Sequence, residues 1–175
     1  MNRRRALLAL GGFGLTGASA WVLQNGVGET GDGLPIRVET MDAPGSSAGN
    51  ARVPADGTVT VVDLFATWCA PCEEQMHALG TVREEYGDEV SMVSVTNERM
   101  GGSLTRGDVR DWWRDNDGEW TLGLDPASDL MSALGAGSIP HVAVFDAAGE
   151  VRWQEGGLTD AATLRTEIDR ALREQ

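Results

Sequence analysis

A nearly continuous apolar run, Val59–Phe65, leads into Trp68-Cys69-Ala70-Pro71-Cys72, and these two cysteines are the only ones among 175 residues. β-Branched residues in such a run predict a strand buried on both faces, in a sheet covered by helices. The residues after Cys72 read as a helix, so the first sulfur is expected exposed at a strand–helix junction. Unpaired N–H groups and the helix dipole at that end favour a thiolate over a thiol. A Cys-x-x-Cys pair in this setting reads as redox-active. A purely structural bridge would close a ring too small to constrain the unfolded chain much.

The rest of the chain alternates strand and helix signals. Gln24–Gly33 is a glycine-rich tether, Leu34–Met41 a short strand, and Asp42–Gly57 an irregular stretch. After the helix, expected to stop at Gly87, come a buried strand Val90–Thr96, a loop Asn97–Thr105 and a helix Arg106–Asn116. A short strand Thr121–Leu124 and a short helix Ser128–Leu134 follow. His141–Phe145 and Glu150–Gln154 flank Asp146-Ala147-Ala148-Gly149 as a hairpin. A final amphipathic helix is capped at Thr159/Asp160 and buries Leu164, Ile168, Ala171 and Leu172. This order gives an α/β fold, a mixed sheet with helices on both faces. The expected division is residues 1–23 as an export or anchor segment, 24–57 as a linker with a short strand, and 58–175 as one domain.

Lysine is absent, and beyond the amino terminus eleven arginines face 27 acidic residues. Nucleic acid is excluded as a partner, because phosphates need a basic face. The lysine-free acidic composition resembles that of haloarchaeal proteins, where molar salt screens charges beyond about 3 Å. At the front, Arg3-Arg4-Arg5 precede an uncharged stretch, Ala6–Leu23, with small residues at Ala18-Ser19-Ala20. That pattern reads as an export signal, and Arg4-Arg5-Ala6-Leu7-Leu8 resembles the twin-arginine type. Cleavage after Ala20 and retention as a membrane anchor are both open. Either places the bulk of the protein outside the cytoplasm.

With Trp68-Cys69-Ala70-Pro71-Cys72 after a buried strand, Gly137-Ser138-Ile139-Pro140 before another, and Phe145-Asp146-Ala147-Ala148-Gly149-Glu150-Val151, the chain resembles the thioredoxin fold. Cys72-Glu73-Glu74-Gln75-Met76-His77-Ala78-Leu79 and the segment between Val90 and Pro140 are similar to its exported TlpA/ResA-like branch of thiol–disulfide oxidoreductases. The resemblance implies that Pro140 is cis and holds a loop against the cysteines, so that the backbone beside Ile139 pairs with a substrate peptide. A trans proline opening a strand is the plainer alternative. The chain departs from the branch at Glu73 and Glu74, where a basic residue often follows the second cysteine, at Gln75, where glutamate is common, and at His77 and His141.

Thiol–disulfide exchange needs an accessible thiolate and a second thiol to resolve the mixed disulfide. Cys69 is expected to attack and Cys72 to resolve. Pro71 sits in the first helical turn, where its missing N–H costs nothing, and Trp68 covers the pair. Asp63 interrupts the apolar run, where an unpaired carboxylate is expensive. By resemblance to classical thioredoxins it takes the Cys72 proton, whereas an aspartate at an exposed strand edge is the ordinary alternative. Glu73 and Glu74 oppose a Cys69 thiolate, which makes the dithiol a better reductant. The expected activity is therefore reduction of disulfides in exported proteins such as apocytochromes, with a membrane thiol carrier as electron donor and no cofactor. A copper- or zinc-handling module using Cys69, Cys72 and His141 is the rival. A peroxidase lacks the threonine and proline it would need around a lone cysteine. Trp112 and Trp113, adjacent on one helix, point about 100° apart and are expected not to share a target. Arg106, Arg110 and Arg114 read as a solvated helix face.

Overall fold

The computed structural model of the protein describes residues 33–174. The amino-terminal segment 1–23 and most of the tether lie outside the described residues. The strands are β1 (Ile36–Thr40), β2 (Gly49–Val53), β3 (Thr60–Phe65), β4 (Ser91–Thr96), β5 (Thr121–Leu124), β6 (His141–Phe145) and β7 (Val151–Gly156). The helices are α1 (Ala70–Tyr86), α2 (Arg106–Asp115), α3 (Asp129–Ala133) and α4 (Ala161–Arg173). Among the described residues no helix is long and apolar enough to cross a membrane.

All the strands belong to one mixed sheet in the order β2-β1-β5-β4-β3-β6-β7. β3 runs parallel to β4, and β4 to β5, while β6 and β7 close one side antiparallel. β1 lies antiparallel to both β5 and β2. The expected linker is therefore shorter than residues 24–57. Gly49–Val53, expected to be irregular, is a strand, and Val38 and Val53 belong to the core. Gly49 and Asn50 hide that strand from a propensity reading, because neither favours extended structure. Pairing with β1 supplies what local preference lacks.

The period-2 alternation of β3 divides the core between the two sheet faces. Val61 and Phe65 join Met76, Leu79, Val109, Trp113, Leu164 and Ile168, so α1, α2 and α4 cover that face. Val62 and Leu64 pack with Leu130 and Leu134 at α3 on the other. Asp63 stands between Val61 and Phe65 and so shares the face of α1. The strand–helix–strand crossovers are what bury β3 on both sides.

Local signals set the helix ends. Thr105 and Asp108 form a reciprocal capping box at the start of α2, and Asp160 accepts from the Thr163 N–H at the start of α4. α1 stops at Gly87, whose φ of +53° suits a residue without Cβ. Two details differ from expectation. Trp112 and Trp113 both meet Phe65, with ring centroids 4.7 and 6.2 Å away, because the large phenyl ring spans the angle between them. The arginine face of α2 is not merely solvated, since Arg106 pairs with Glu39 at 2.7 Å and Arg110 donates to the Asp42 carbonyl at 2.7 Å, tying α2 to β1 and the turn that follows it.

A candidate dithiol site

β3 ends at Phe65, and four residues later the chain turns into α1. Cys69 is the N-cap, with extended backbone angles and no side-chain cap, and its carbonyl accepts from the Cys72 N–H at 2.9 Å. The sulfurs therefore sit at the positive end of the α1 dipole, with no side-chain oxygen capping the first turn. Cys69 and Cys72 are joined by a disulfide, with Cα atoms 5.2 Å apart. Pro71 lies in the first turn, as expected.

Exposure differs from expectation in two places. Cys69, expected to be exposed, is only 4% exposed, and Cys72 is 1% exposed. Trp68, expected to be packed over the pair, is 74% exposed. The reason is a groove of about 520 Å³ lined by Trp68, Cys69, Pro71, Asn97, Met131 and Ile139, among others. Cys69 forms part of its lining. Trp68 lines its side instead of sealing it.

The opposite wall is the Gly137–Pro140 turn. The Ile139–Pro140 bond is cis. Gly157 donates its N–H to the Pro140 carbonyl at 2.8 Å, whereas the N–H and C=O of Ile139 have no backbone partner among the described residues. An extended peptide in the groove would meet those two free groups.

Asp63 is 2% exposed in the central strand β3, so the exposed-edge alternative does not hold. Burial raises its pKa from 3.8 to about 7, and the hydroxyl of Ser94, its neighbour in register on β4, opposes the rise. Its Oδ1 is buried without a hydrogen-bond partner. Asp63 and Cys72 thus occupy the same covered face, the carboxyl on the sheet and the sulfur on the overlying helix.

His141 is not brought to the sulfurs. It pairs in register with Leu64, whose side chain belongs to the other face of the sheet, and its Nε2 meets Gln154 Oε1 at 3.1 Å. Among the described residues no three His, Cys, Asp or Glu side chains converge as a metal site, so the expected rival set of Cys69, Cys72 and His141 is not assembled. His77 lies exposed on α1.

Two residues that sequence reasoning missed support the site. Glu98 accepts hydrogen bonds from the Thr67 N–H at 2.7 Å, the Thr67 hydroxyl at 2.9 Å and the Thr96 hydroxyl at 3.1 Å. It thereby fixes the turn that carries Trp68 and Cys69. Gln75, noted only as a departure, is fully buried and binds both backbone groups of Thr159, fastening α1 to the segment before α4. Nothing local marks Glu98, because its partner Thr67 lies 31 residues away.

Comparison with known proteins agrees with this geometry. Residues 29–169 match the Redoxin family model. The thiol-disulfide oxidoreductase YkuV of Bacillus subtilis is 24% identical over 115 residues, covering 66% of this chain and 78% of that protein. The thioredoxin-like protein YneN of the same organism is 27% identical over 88 residues, 46% of this chain and 49% of its own length. Among solved structures, StoA from Bacillus subtilis superposes with a TM-score of 0.62 at 20% identity, over 77% of this chain and 97% of that one. A putative thiol:disulfide interchange protein DsbE from Chlorobium tepidum gives 0.63 at 23% identity, over 82% and 98%. A Cys-x-x-Cys dithiol at the strand–helix junction of a thioredoxin-like sheet, with a family match spanning most of the sequence, identifies the chain as a member of the Redoxin family and a thioredoxin-like protein-disulfide oxidoreductase.

Proposed function

We propose that the protein works outside the cytoplasm, in the manner of the TlpA/ResA-like branch, reducing disulfides of exported proteins. The observation that carries this reading is the placement of Cys69 in a groove whose far wall offers the unpaired backbone of Ile139 beside cis-Pro140. A substrate strand pairing with Ile139 would bring its disulfide alongside Cys69. Trp68, Pro71 and Ile139 provide apolar walls for the residues flanking that disulfide.

In the reduced protein the Cys69 thiolate attacks one sulfur of the substrate disulfide and expels the other as a thiolate. Asp63, ionised, takes the proton from Cys72. The Cys72 thiolate then attacks Cys69, frees the second substrate thiolate and leaves the Cys69–Cys72 disulfide. Two electrons have passed to the substrate, and the Asp63 proton is returned to a product thiolate. An outside thiol donor, on this reading a membrane thiol carrier, must then reduce the pair again.

The reducing direction is supported by Glu73 and Glu74, both exposed on the first turns of α1, where a basic residue would favour the thiolate. Export is supported by Arg3–Arg5 and the uncharged stretch behind them, and a saline habitat by the acidic, lysine-free composition. Trapping tests the whole reading. A Cys72→Ser variant expressed in the native host should accumulate mixed disulfides through Cys69 with exported proteins, apocytochromes among them. Recovery of cytoplasmic proteins alone would overturn the placement, and recovery of none would overturn the activity.

A further inference from the structure

The groove beside Cys69 is also lined by Asn97, just after β4, and by Met131 of α3. Ser128 ties the two together. It is the N-cap of α3, yet its hydroxyl does not cap the helix, because the Asp125 carboxylate takes the N–H groups of Asp129 and Leu130 at 3.1 and 2.8 Å. Ser128 Oγ instead accepts from Asn97 Nδ2 at 3.0 Å. Ser128 holds a φ of +62°, a left-handed conformation that glycine adopts more readily than any residue with a side chain. What serine brings there, and glycine could not, is this hold on Asn97. Asn97 Nδ2 also reaches Met131 Sδ at 3.7 Å. A thioether only accepts, so the amide nitrogen and not the oxygen must face α3. Both hydrogens of Nδ2 are then spent. Oδ1 receives no donor among the described residues, and it is not one of the buried polar atoms left without a partner. It is therefore open to solvent, on a half-buried residue of the groove wall.

We propose that Asn97 is a specificity-determining residue: its Oδ1 accepts a hydrogen bond from a donor on the substrate strand beside the reactive disulfide and disfavours a carboxylate in the same place. The assignment rests on the groove being the substrate site, as proposed above. Asn97 is held for this task from two sides. Its neighbour Glu98 binds the Thr67 N–H and hydroxyl in the turn that carries Trp68 and Cys69. Ser128 and Met131 hold its amide. The oxygen is thus fixed relative to the attacking sulfur before a substrate arrives, and little side-chain freedom is lost on binding. Ile139 offers an N–H and a C=O that any peptide backbone can meet. Asn97 adds a contact that depends on the substrate side chain. A glutamine there can donate to the oxygen, whereas a glutamate brings a second acceptor and a charge to be desolvated. Among the described residues no cationic side chain lines the groove to offset that charge.

The test uses disulfide-linked dimers of a short peptide with one central cysteine, mixed at neutral pH with the pre-reduced full-length protein in single turnovers. Glutamine or glutamate is placed at each of the two positions on either side of the cysteine, and the ratio of second-order rates, Gln over Glu, is read at each. The acidity of the whole protein slows the Glu peptides alike in every variant, and any loosening of the site slows both peptides alike, so both effects cancel when ratios are compared. In Asn97→Ala the ratio should fall about three- to tenfold at the position that meets residue 97 and hold its wild-type value elsewhere. Asn97→Asp keeps an acceptor and should hold the wild-type ratio at that position or raise it. A ratio unchanged, or equally changed, at every position in Asn97→Ala would overturn the assignment and leave the reductase reading standing. So would a fall in Asn97→Asp as large as that in Asn97→Ala. Wild-type protein that reduces none of the peptides would overturn the reading on which the assignment rests.

Discussion

Gln75 and Thr159 hold each other by two buried hydrogen bonds, Gln75 Nε2–H to the Thr159 carbonyl at 2.9 Å and the Thr159 N–H to Gln75 Oε1 at 2.8 Å. The amide behaves as one more residue of a backbone ladder, three positions after Cys72, and it satisfies a segment that has no strand partner. Leucine at position 75 would fill the space and leave both backbone groups of Thr159 unpaired. Gln75→Leu should therefore lose about 2–4 kcal/mol in urea unfolding of the oxidised protein. Gln75→Glu keeps the acceptor but loses the donor, so it should be destabilised more at pH 8, ionised, than at pH 4.

Asp63 gives a pH-dependent signature of stability. Its pKa is about 7 folded against an ordinary 3.8, raised by burial, so between those values the folded state holds a proton that the unfolded state has released. Stability then falls as pH rises through that window, and the full cost is present above pH 7. Three pKa units correspond to roughly 4 kcal/mol. Asp63→Asn should match wild type near pH 4 and exceed it by up to about that amount near pH 8, while its disulfide exchange slows. Urea midpoints at the two pH values read this directly.

Those two residues show where the sequence is legible. Asp63 stands out because a carboxylate inside Val61–Phe65 conflicts with its neighbours, and the strand, the helix start at Cys69 and the turn at Asp146–Gly149 are likewise set by residues adjacent in the chain. Gln75 and Glu98 carry no local conflict, since a polar residue on a helix or loop usually faces water. Their partners lie 84 and 31 residues away, and only the folded chain brings them together. β2 was hidden for a related reason, because its pairing with β1 rather than its own composition makes it a strand. His141 lies on the face away from the sulfurs, since proximity to Pro140 in sequence says nothing about which face a side chain takes.

Among the described residues Trp68 is the most exposed large apolar side chain, and it lines the groove beside Cys69. A side chain so exposed contributes little to folding. Trp68→Ala should leave the unfolding free energy within about 0.5 kcal/mol of wild type. Its effect should fall on KM for a protein disulfide, raised several-fold, with kcat for a small disulfide nearly unchanged.

Glu98 should show the opposite pattern. Removing its carboxylate frees the Thr67 N–H and hydroxyl and loosens the turn before Cys69. Glu98→Ala should cost about 1–3 kcal/mol and lower kcat for small and protein disulfides alike, because the sulfur itself is less well placed. Glu98→Gln, which can still accept from the Thr67 N–H, should recover most of the loss. Thermal unfolding and steady-state reduction of both substrates separate this variant from Trp68→Ala.

The most direct measurement is a redox titration of Cys69 and Cys72 in dithiothreitol and glutathione buffers of known potential, read by alkylation of quenched samples. A reversible two-electron transition at or below about −270 mV, the range of reducing members of this fold, with Cys69 labelled well before Cys72, is the result expected. A pair that stays oxidised at every potential, or a midpoint near −120 mV as in strong oxidants of the fold, would contradict it.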